Sequence, residues 1–584
     1  MAQLKMFWNV TECDYPENYD GFSYRRFDGS EKEINEWVEI CKYGLASPED
    51  GREYFDNTML SRPYYKPSDT FFVIKDGEPV ATVTAIVNDC EDSRKLGYIH
   101  MVAAKDCVRG KGLGSYMTKI AKAEFYARGC YGAYLTTDEF RVPAVRCYLN
   151  EGFNPVEYDE GMERRWVKWL SENEYHNVDY VDEQGQKIKT LLPNPVKIGI
   201  FGARRGEAYA CCVLNSRGRG VVTCVCDMNT QRLETIKRFC NESTKYVTDF
   251  DELLNAGCDA IILCNYFNEH AKFAVKCLER GINVLSETTA CVTMKECVEL
   301  VEASEKSGAV YMLAENCAYM YQILELKKLY ECGTLGKAVY TESEYIHPMS
   351  PEEYAMYTPN NKHWRAQMPS CYYHTHSLAP VMNITGAYPT AVNARAIFTD
   401  AVRIERDDEP VKDVSTIMLC QMSDSSLCRI TGWAKFATHG DWCRISCGRG
   451  SAESVRGNEA SVMVSYNGWQ IPEGHSERVT YDAKSLYELP EEKECDGHYG
   501  GDYKMILEFL DCVINGKKPL FDVYNSVRMS AVAILAWRSC LENGKEYIIP
   551  NFKNKEERDA YRNDDLSPFT DESGKANYPC TITK

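Results

Sequence analysis

Two glycine-rich turns, each set between an apolar run and a helical pattern, constrain this chain more than any other feature. The first is Val108-Arg109-Gly110-Lys111-Gly112-Leu113-Gly114, lying between the apolar run Leu96 to Ala104 and a helical pattern from Ser115 to Arg128. The second and looser turn is Gly199-Ile200-Phe201-Gly202-Ala203-Arg204-Arg205-Gly206. A strand that enters a helix through glycines offers free backbone N–H groups and the positive end of a helix dipole to an anion. Two such cradles in one polypeptide predict two separate sites. At 584 residues the chain also exceeds what a single hydrophobic core organises.

The pattern around each turn divides the chain. Residues 1–170 read as a mixed α/β unit. Phe71 to Lys75 and Pro79 to Val87 form two antiparallel strands across an Asp76-Gly77 turn, Gly97 to Ala104 is a third strand, and Ala133 to Thr137 a further one. Residues 171–194, polar and turn-rich, read as a linker. From 195 to 315 strands and helices alternate: Lys197 to Phe201, Val221 to Cys226, Ala260 to Cys264, Asn283 to Ser286 and Val310 to Leu313, with helices between them. Such alternation predicts a doubly wound parallel sheet. Residues 316–550 carry longer strands (Ala338 to Tyr345, Thr390 to Ile397, Ser415 to Met422, Ser426 to Trp433, Asp441 to Ser446), which predict an α+β domain on a large, mainly antiparallel sheet. Residues 551–584 read as a tail, and Asp407-Asp408-Glu409 as a solvated loop.

The formal charge of −19 argues against a nucleic-acid protein, because phosphate binding needs a basic surface. No apolar run approaches the roughly 18 residues of a membrane span, and no secretory leader is visible. The 27 cysteines contain no C-x-x-C pair and fall within apolar segments, which predicts buried thiols in a reducing cytoplasm. Cys443 and Cys447 lack a second pair to complete a metal site, so no metal is expected.

Arg109, Gly112 and Gly114 meet the pattern Arg/Gln-x-x-Gly-x-Gly/Ala, and Tyr148-Leu-Asn-Glu-Gly152-Phe153 follows at the end of the unit. On these residues the first unit resembles the GNAT family of N-acetyltransferases. The resemblance implies acetyl-CoA as co-substrate, with its pyrophosphate on Arg109, Gly110, Lys111, Gly112 and Gly114, and Tyr148 as the general acid for the departing thiolate. His100, Asp138 and Glu139 remain open as general bases.

In the second turn, Gly202 and Gly206 form a shortened dinucleotide fingerprint, with Arg204 where the second glycine would stand. Asp227 closes the next strand, placed to bind the adenosine ribose, and an acid there favours NAD over NADP. Asn265 to His270 and Glu287-Thr288-Thr289 then resemble the Asn-x-x-His and Glu-Lys-Pro motifs of the Gfo/Idh/MocA oxidoreductases, with the lysine and proline replaced. Glu315-Asn316-Cys-Ala-Tyr319, Tyr373-His374-Thr375-His376 and His498-Tyr-Gly-Gly-Asp502 are similar to one branch, the NAD-dependent α-N-acetylgalactosaminidases, which also lacks the lysine.

The resemblance implies NAD held by Gly202, Gly206, Asp227, Asn265, His270 and Glu287, proton handling by Tyr373 and His376, and a sugar held by Glu315, Tyr345 and Arg365. In that branch hydride leaves C3 of the sugar, the ketone acidifies the C2–H, the C1 substituent is eliminated, water adds, and the hydride returns. The expectation is a cytoplasmic bifunctional enzyme of sugar or aminosugar metabolism, with a homodimer as one possible assembly. For the second unit, net oxidoreduction, redox-neutral glycoside hydrolysis and non-catalytic sensing stay open.

Overall fold

The computed structural model describes residues 2–90, 94–173, 175–192, 194–484, 497–571 and 573–582. The chain forms two compact units, Met1–Asn194 and Pro195–Lys584.

The first unit is built on a seven-stranded sheet. In spatial order its strands are Phe22–Arg26, Thr70–Lys75, Glu78–Asp89, Lys95–Ala104, Gly132–Thr137, Leu4–Asn9 and Asn154–Pro155. The pairing is antiparallel except between Lys95–Ala104 and Gly132–Thr137, which run parallel and pair only from Leu96 to Tyr98. Beyond Tyr98 the two strands part, and the first glycine turn follows the longer one. The helix Leu113–Ala127 packs on this sheet through Phe125, whose ring lies where a Cβ on Gly97 would stand, at 2.6 Å.

The presumed linker is folded. Val178–Val181 and Lys187–Leu191 pair as an antiparallel hairpin, and Tyr180, Val181 and Leu191 are buried in the first unit. Their alternation was masked by the charged residues between them; Glu174 and Pro193, also in that segment, lie outside the described residues.

In the second unit six parallel strands stand in the order Lys245–Val247, Gly220–Cys226, Val196–Phe201, Ala260–Leu263, Asn283–Ser286, Tyr311–Leu313. The order reverses between Val196–Phe201 and Ala260–Leu263. In doubly wound sheets, that switch point opens the crevice in which ligands bind. A nine-stranded sheet follows, antiparallel except where Ala338–Ile346 runs parallel to Leu427–Thr431. The fold class anticipated from the alternation of elements is the one observed.

The expected tail is docked against the second unit. Phe552 and Phe569 join its core, Arg558 forks onto Glu305 at 2.7 Å, and Arg538 onto Asp564 at 2.8 and 2.7 Å. Glu409 is likewise no solvated residue: its carboxylate is buried, accepting from Tyr354 and pairing with Arg406. The described cysteines are all free thiols, and Cys443 is buried.

Candidate active sites

In the first unit Gly110 and Gly112 both take φ +76°, a left-handed conformation that other residues adopt only at a cost. This lets the chain turn straight into Leu113–Ala127, whose first N–H groups have no side-chain cap. Arg109 does not face this cradle freely. Its guanidinium donates to the Tyr43 carbonyl and pairs with Asp106 at 2.7 Å, tying the turn to the loop after Glu31–Cys41. Lys111 is exposed. Gly114 packs close to Cys147, one residue before Tyr148 in the helix Val142–Asn150. Burial raises the Tyr148 phenol, so it stays protonated, as an acid must before it donates.

Of the three candidate bases, Asp138 accepts from Gln3 and Arg141, and Glu139 pairs with Arg165 at 2.6 Å. His100 is buried and donates Nε2–H to the Thr58 carbonyl at 3.1 Å, and its pKa is pushed down to about 4 by burial.

In the second unit a cavity of about 510 Å³ opens at the switch point. Gly202, Asp227, Asn265, His270, Glu287, Arg365 and Tyr373 all line it. Gly202 takes φ +97°, and a Cβ there would lie 2.3 Å from the Cys264 carbonyl oxygen, so only glycine lets the two strand ends approach. Gly206 lies elsewhere than expected: it is buried in the contact between helix and strand, where a Cβ would meet Ile200 at 2.4 Å. Its role is close packing, the task of the last glycine in a dinucleotide turn.

Asp227 accepts from Ala203 N–H at 2.7 Å and Asn229 N–H at 2.8 Å, which sets its carboxylate on the mouth of the turn. His270 Nδ1 lies 2.9 Å from the Thr289 carbonyl and Nε2 3.3 Å from the Asn265 carbonyl; burial disfavours the charged ring, and the neutral ring donates to one of the two carbonyls. Asn265 lines the cavity, and its buried Oδ1 has no hydrogen-bond partner, an acceptor whose lone pairs are unmet.

Glu287 does not stand alone. It accepts from Arg205 Nε at 2.7 Å and Tyr209 OH at 2.5 Å, and Arg205 also forks onto Asp502 at 3.1 and 2.6 Å. Asn316 and His498 donate to the same Asp502. Burial opposes ionisation of Glu287 and Asp502, but Arg205 outweighs it and both titrate below their ordinary values. Sequence reasoning placed Arg205 only in the turn and gave Asp502 no role. The doubled arginine after Gly202 was the available signal, since one arginine serves a phosphate and a second needs an acid.

Glu315, Tyr345 and His376 do not line this cavity; His376 packs on Tyr373, which does, and Glu315 is fully buried and accepts from His376 Nδ1–H at 2.7 Å. Burial works against a charged imidazole, yet the charge and hydrogen bond of Glu315 overcome it and raise the His376 pKa. The rings of Tyr345 and Tyr373 stand 4.7 and 4.9 Å from His376. Burial pushes the Tyr373 phenol up to about 12. Cys317 completes a trio with Glu315 and His376 whose ligand atoms lie within 4.8 Å.

Comparison with known proteins follows this geometry. A model of the Acetyltransferase (GNAT) family matches residues 32–153. One described as Oxidoreductase family, NAD-binding Rossmann fold, matches residues 196–315, and one for the Glycosyl hydrolase 109 C-terminal domain matches residues 460–557. The chain joins a GNAT domain to a Gfo/Idh/MocA NAD-binding domain and a family-109 glycosyl hydrolase C-terminal domain.

Among curated proteins it is similar to the α-N-acetylgalactosaminidase of Shewanella oneidensis, 24% identical over 52% of this chain and 71% of that protein. Glycosyl hydrolase family 109 protein 1 of Shewanella sp. MR-4 gives the same identity and coverage. Among solved structures, a levoglucosan dehydrogenase complexed with NADH superimposes with TM-score 0.53 at 16% identity, over 61% of this chain and all of that one, a likeness of fold. With Gly202, Asp227 and the unpartnered Oδ1 of Asn265 around the switch-point cavity, the residues present fit an NAD cofactor. Among the described residues no helix is long and apolar enough to cross a membrane.

Proposed function

We propose that the second unit is an NAD-dependent enzyme that takes hydride from a ring carbon of a sugar or glycoside, and that the first is an acetyl-CoA-dependent N-acetyltransferase, so that the chain is a bifunctional enzyme of sugar or aminosugar metabolism. The observation that carries the reading is the buried Glu315–His376 pair, with Tyr345 and Tyr373 against it, reached through Tyr373, which lines the cavity that holds the dinucleotide residues.

NAD would be held by Gly202, Asp227, Asn265 and Glu287 and would supply a hydride acceptor. Gly206 would let its helix approach, and His270 would brace the loops. Glu315 keeps His376 in one tautomer and favours its protonated form, while Tyr373 enters the reaction as a protonated phenol. Arg365 and Tyr345 would hold the sugar. In the first unit the uncapped amides of Gly112 to Gly114 fit a pyrophosphate, and Tyr148 would protonate the CoA thiolate.

Redox-neutral glycoside hydrolysis is a second reading of the larger unit, favoured by a specific observation. Oxidation of an alcohol needs one proton acceptor, whereas Tyr373 and the His376–Glu315 pair are two separate proton-handling groups. Mass spectrometry of small molecules released from the purified protein tests both cofactor assignments at once: NAD and CoA are expected together. With a glycoside panel, accumulating NADH absorbance marks the dehydrogenase, and release of the leaving group without NADH marks the hydrolase. Neither signal, with or without His376→Asn, would leave only a sensor.

A further inference from the structure

Among the described residues, no carboxylate forms a salt bridge with Arg365, a cation that lines the switch-point cavity. Arg365 lies in the short turn Trp364–Ala366, and its Nε is buried with no hydrogen-bond partner. Its guanidinium sits among aromatic rings, 4.5 Å from Trp364, 5.7 Å from Trp433, and 6.0 Å from both Tyr357 and Tyr373. Ring faces offset part of the cost of removing a guanidinium from water, but they carry no net charge. The groups that act on Arg365 most strongly are the phenols of Tyr373, Tyr345 and Tyr354 and the guanidinium of Arg204; no carboxylate is among them.

The surroundings deepen the excess. Arg204 lines the same cavity and lies 4.4 Å from the Tyr357 ring, so two guanidiniums flank one phenol. The buried Lys412 amine donates to the Arg365 carbonyl at 2.9 Å; burial pulls its pKa down to about 7, so it adds only part of a charge near neutrality. Three acids act on Lys412: Glu405, paired with Lys435; Glu409, paired with Arg406 and Tyr354; and the buried Asp413, which accepts from Ser370 and Thr416. Of the three carboxylates lining the cavity, Asp227 holds the turn amides and Glu287 holds Arg205. Glu269, the third, belongs to the turn Phe267–Glu269 and is not among the strongest influences on Arg365.

We propose that the substrate of the second unit is an acid sugar, carrying a carboxylate or a phosphate, and that the fork of Arg365 receives this anion beside Tyr373. A planar guanidinium matches both groups through paired N–H···O bonds. The dinucleotide phosphates would belong at the start of Ala203–Leu214, where Arg204 stands; Arg365 belongs to a separate element, the turn Trp364–Ala366, with its guanidinium 6.0 Å from the Tyr373 ring. The inference rests on the reading of this cavity as sugar-active.

The test is calorimetric titration of the NAD-loaded, full-length protein with hexuronates, hexose 6-phosphates and the neutral hexoses of matching configuration. At least one acid sugar is expected to bind ten-fold or more tightly than its neutral partner; whether uronates or phosphates show it identifies the source of the charge. Arg365→Gln is expected to weaken acid-sugar binding at least ten-fold more than it weakens neutral-sugar binding, and Arg365→Lys to restore part of that difference. Equal binding of acid and neutral partners across the panel overturns the proposal. So does a preference that survives Arg365→Gln, or a loss of NAD affinity in that variant as large as the loss of acid-sugar affinity, which would assign Arg365 to the cofactor. Turnover of a neutral sugar without acid preference would remove this inference and leave the proposed function standing; acid-sugar binding with no hydride or leaving-group chemistry would do the reverse.

Discussion

The two glycine turns look alike in sequence and are built on different physics. Around Gly110 there is open space, and around Gly112 only an ordinary contact with Tyr19, so glycine serves there for its backbone angle. Around Gly202 and Gly206 there is no room at all: the Cys264 carbonyl and the Ile200 side chain stand where a Cβ would go. The first turn is an exposed bend that leaves amides free. The second is a packed joint, locked by Arg205 onto Glu287 and Asp502. A glycine pattern therefore states that a side chain is excluded, without saying whether angle or space excludes it.

Substitutions separate the two cases. Arg205→Leu has the largest expected effect, since it strands the carboxylates of Glu287 and Asp502. A loss of about 3 kcal/mol in urea unfolding of the second unit is expected, the low end for a buried pair because Arg205 keeps some solvent contact. NAD should be lost with it. Gly202→Ala combines a left-handed φ with a backbone collision and should cost about 2–3 kcal/mol and NAD retention. Gly206→Ala meets only the end of a side chain that can shift; calorimetric melting should show about 1–2 kcal/mol, with NAD affinity weakened less. Gly112→Ala, in the open turn, should cost about 1 kcal/mol and raise the KM for acetyl-CoA while NAD retention is unchanged. An equal loss from Gly112→Ala and Gly202→Ala would erase the distinction.

Near neutrality the smallest difference is in pH response, and its sign is opposite in the two units. The His376 pKa is raised in the fold, so its contribution to stability is full below the ordinary histidine value and fades as pH rises through the raised one. His100, held near 4, does the reverse: stability of the first unit falls as pH drops from about 6.5 toward 4, because the unfolded chain takes up the proton. Unfolding followed at several pH values should show the two slopes, and His376→Gln and His100→Gln should each flatten one.

Much of the fold was legible because it is written locally. Alternating apolar runs and helical patterns from Val196 to Leu313 specify a parallel sheet, and the glycines mark where it opens. What escaped was non-local. Leu4–Asn9 inserts beside Gly132–Thr137, far along the chain, and nothing in its own six residues names that neighbour. Glu409 reads as solvated beside Asp407 and Asp408 until Tyr354 and Arg406 cover it. The proposed site divides in the same way. His376, Glu315 and Tyr373 were found through motifs, and the structure brings them together. The Arg205–Asp502 pair was invisible because its members sit in different elements and become partners only after folding.

The docking of residues 551–584 bears on how the protein can be cut. Phe569 rests 6.0 Å from Phe267, which lines the switch-point cavity, and Thr570 exchanges two hydrogen bonds with Gln367, two residues past Arg365. An excised second unit that stopped at residue 550 would lose the rear support of its own cavity wall. A fragment cut at residue 550 would thus keep the Arg205 joint and lose the packing of Phe569 against Phe267 and the hydrogen bonds of Thr570 with Gln367.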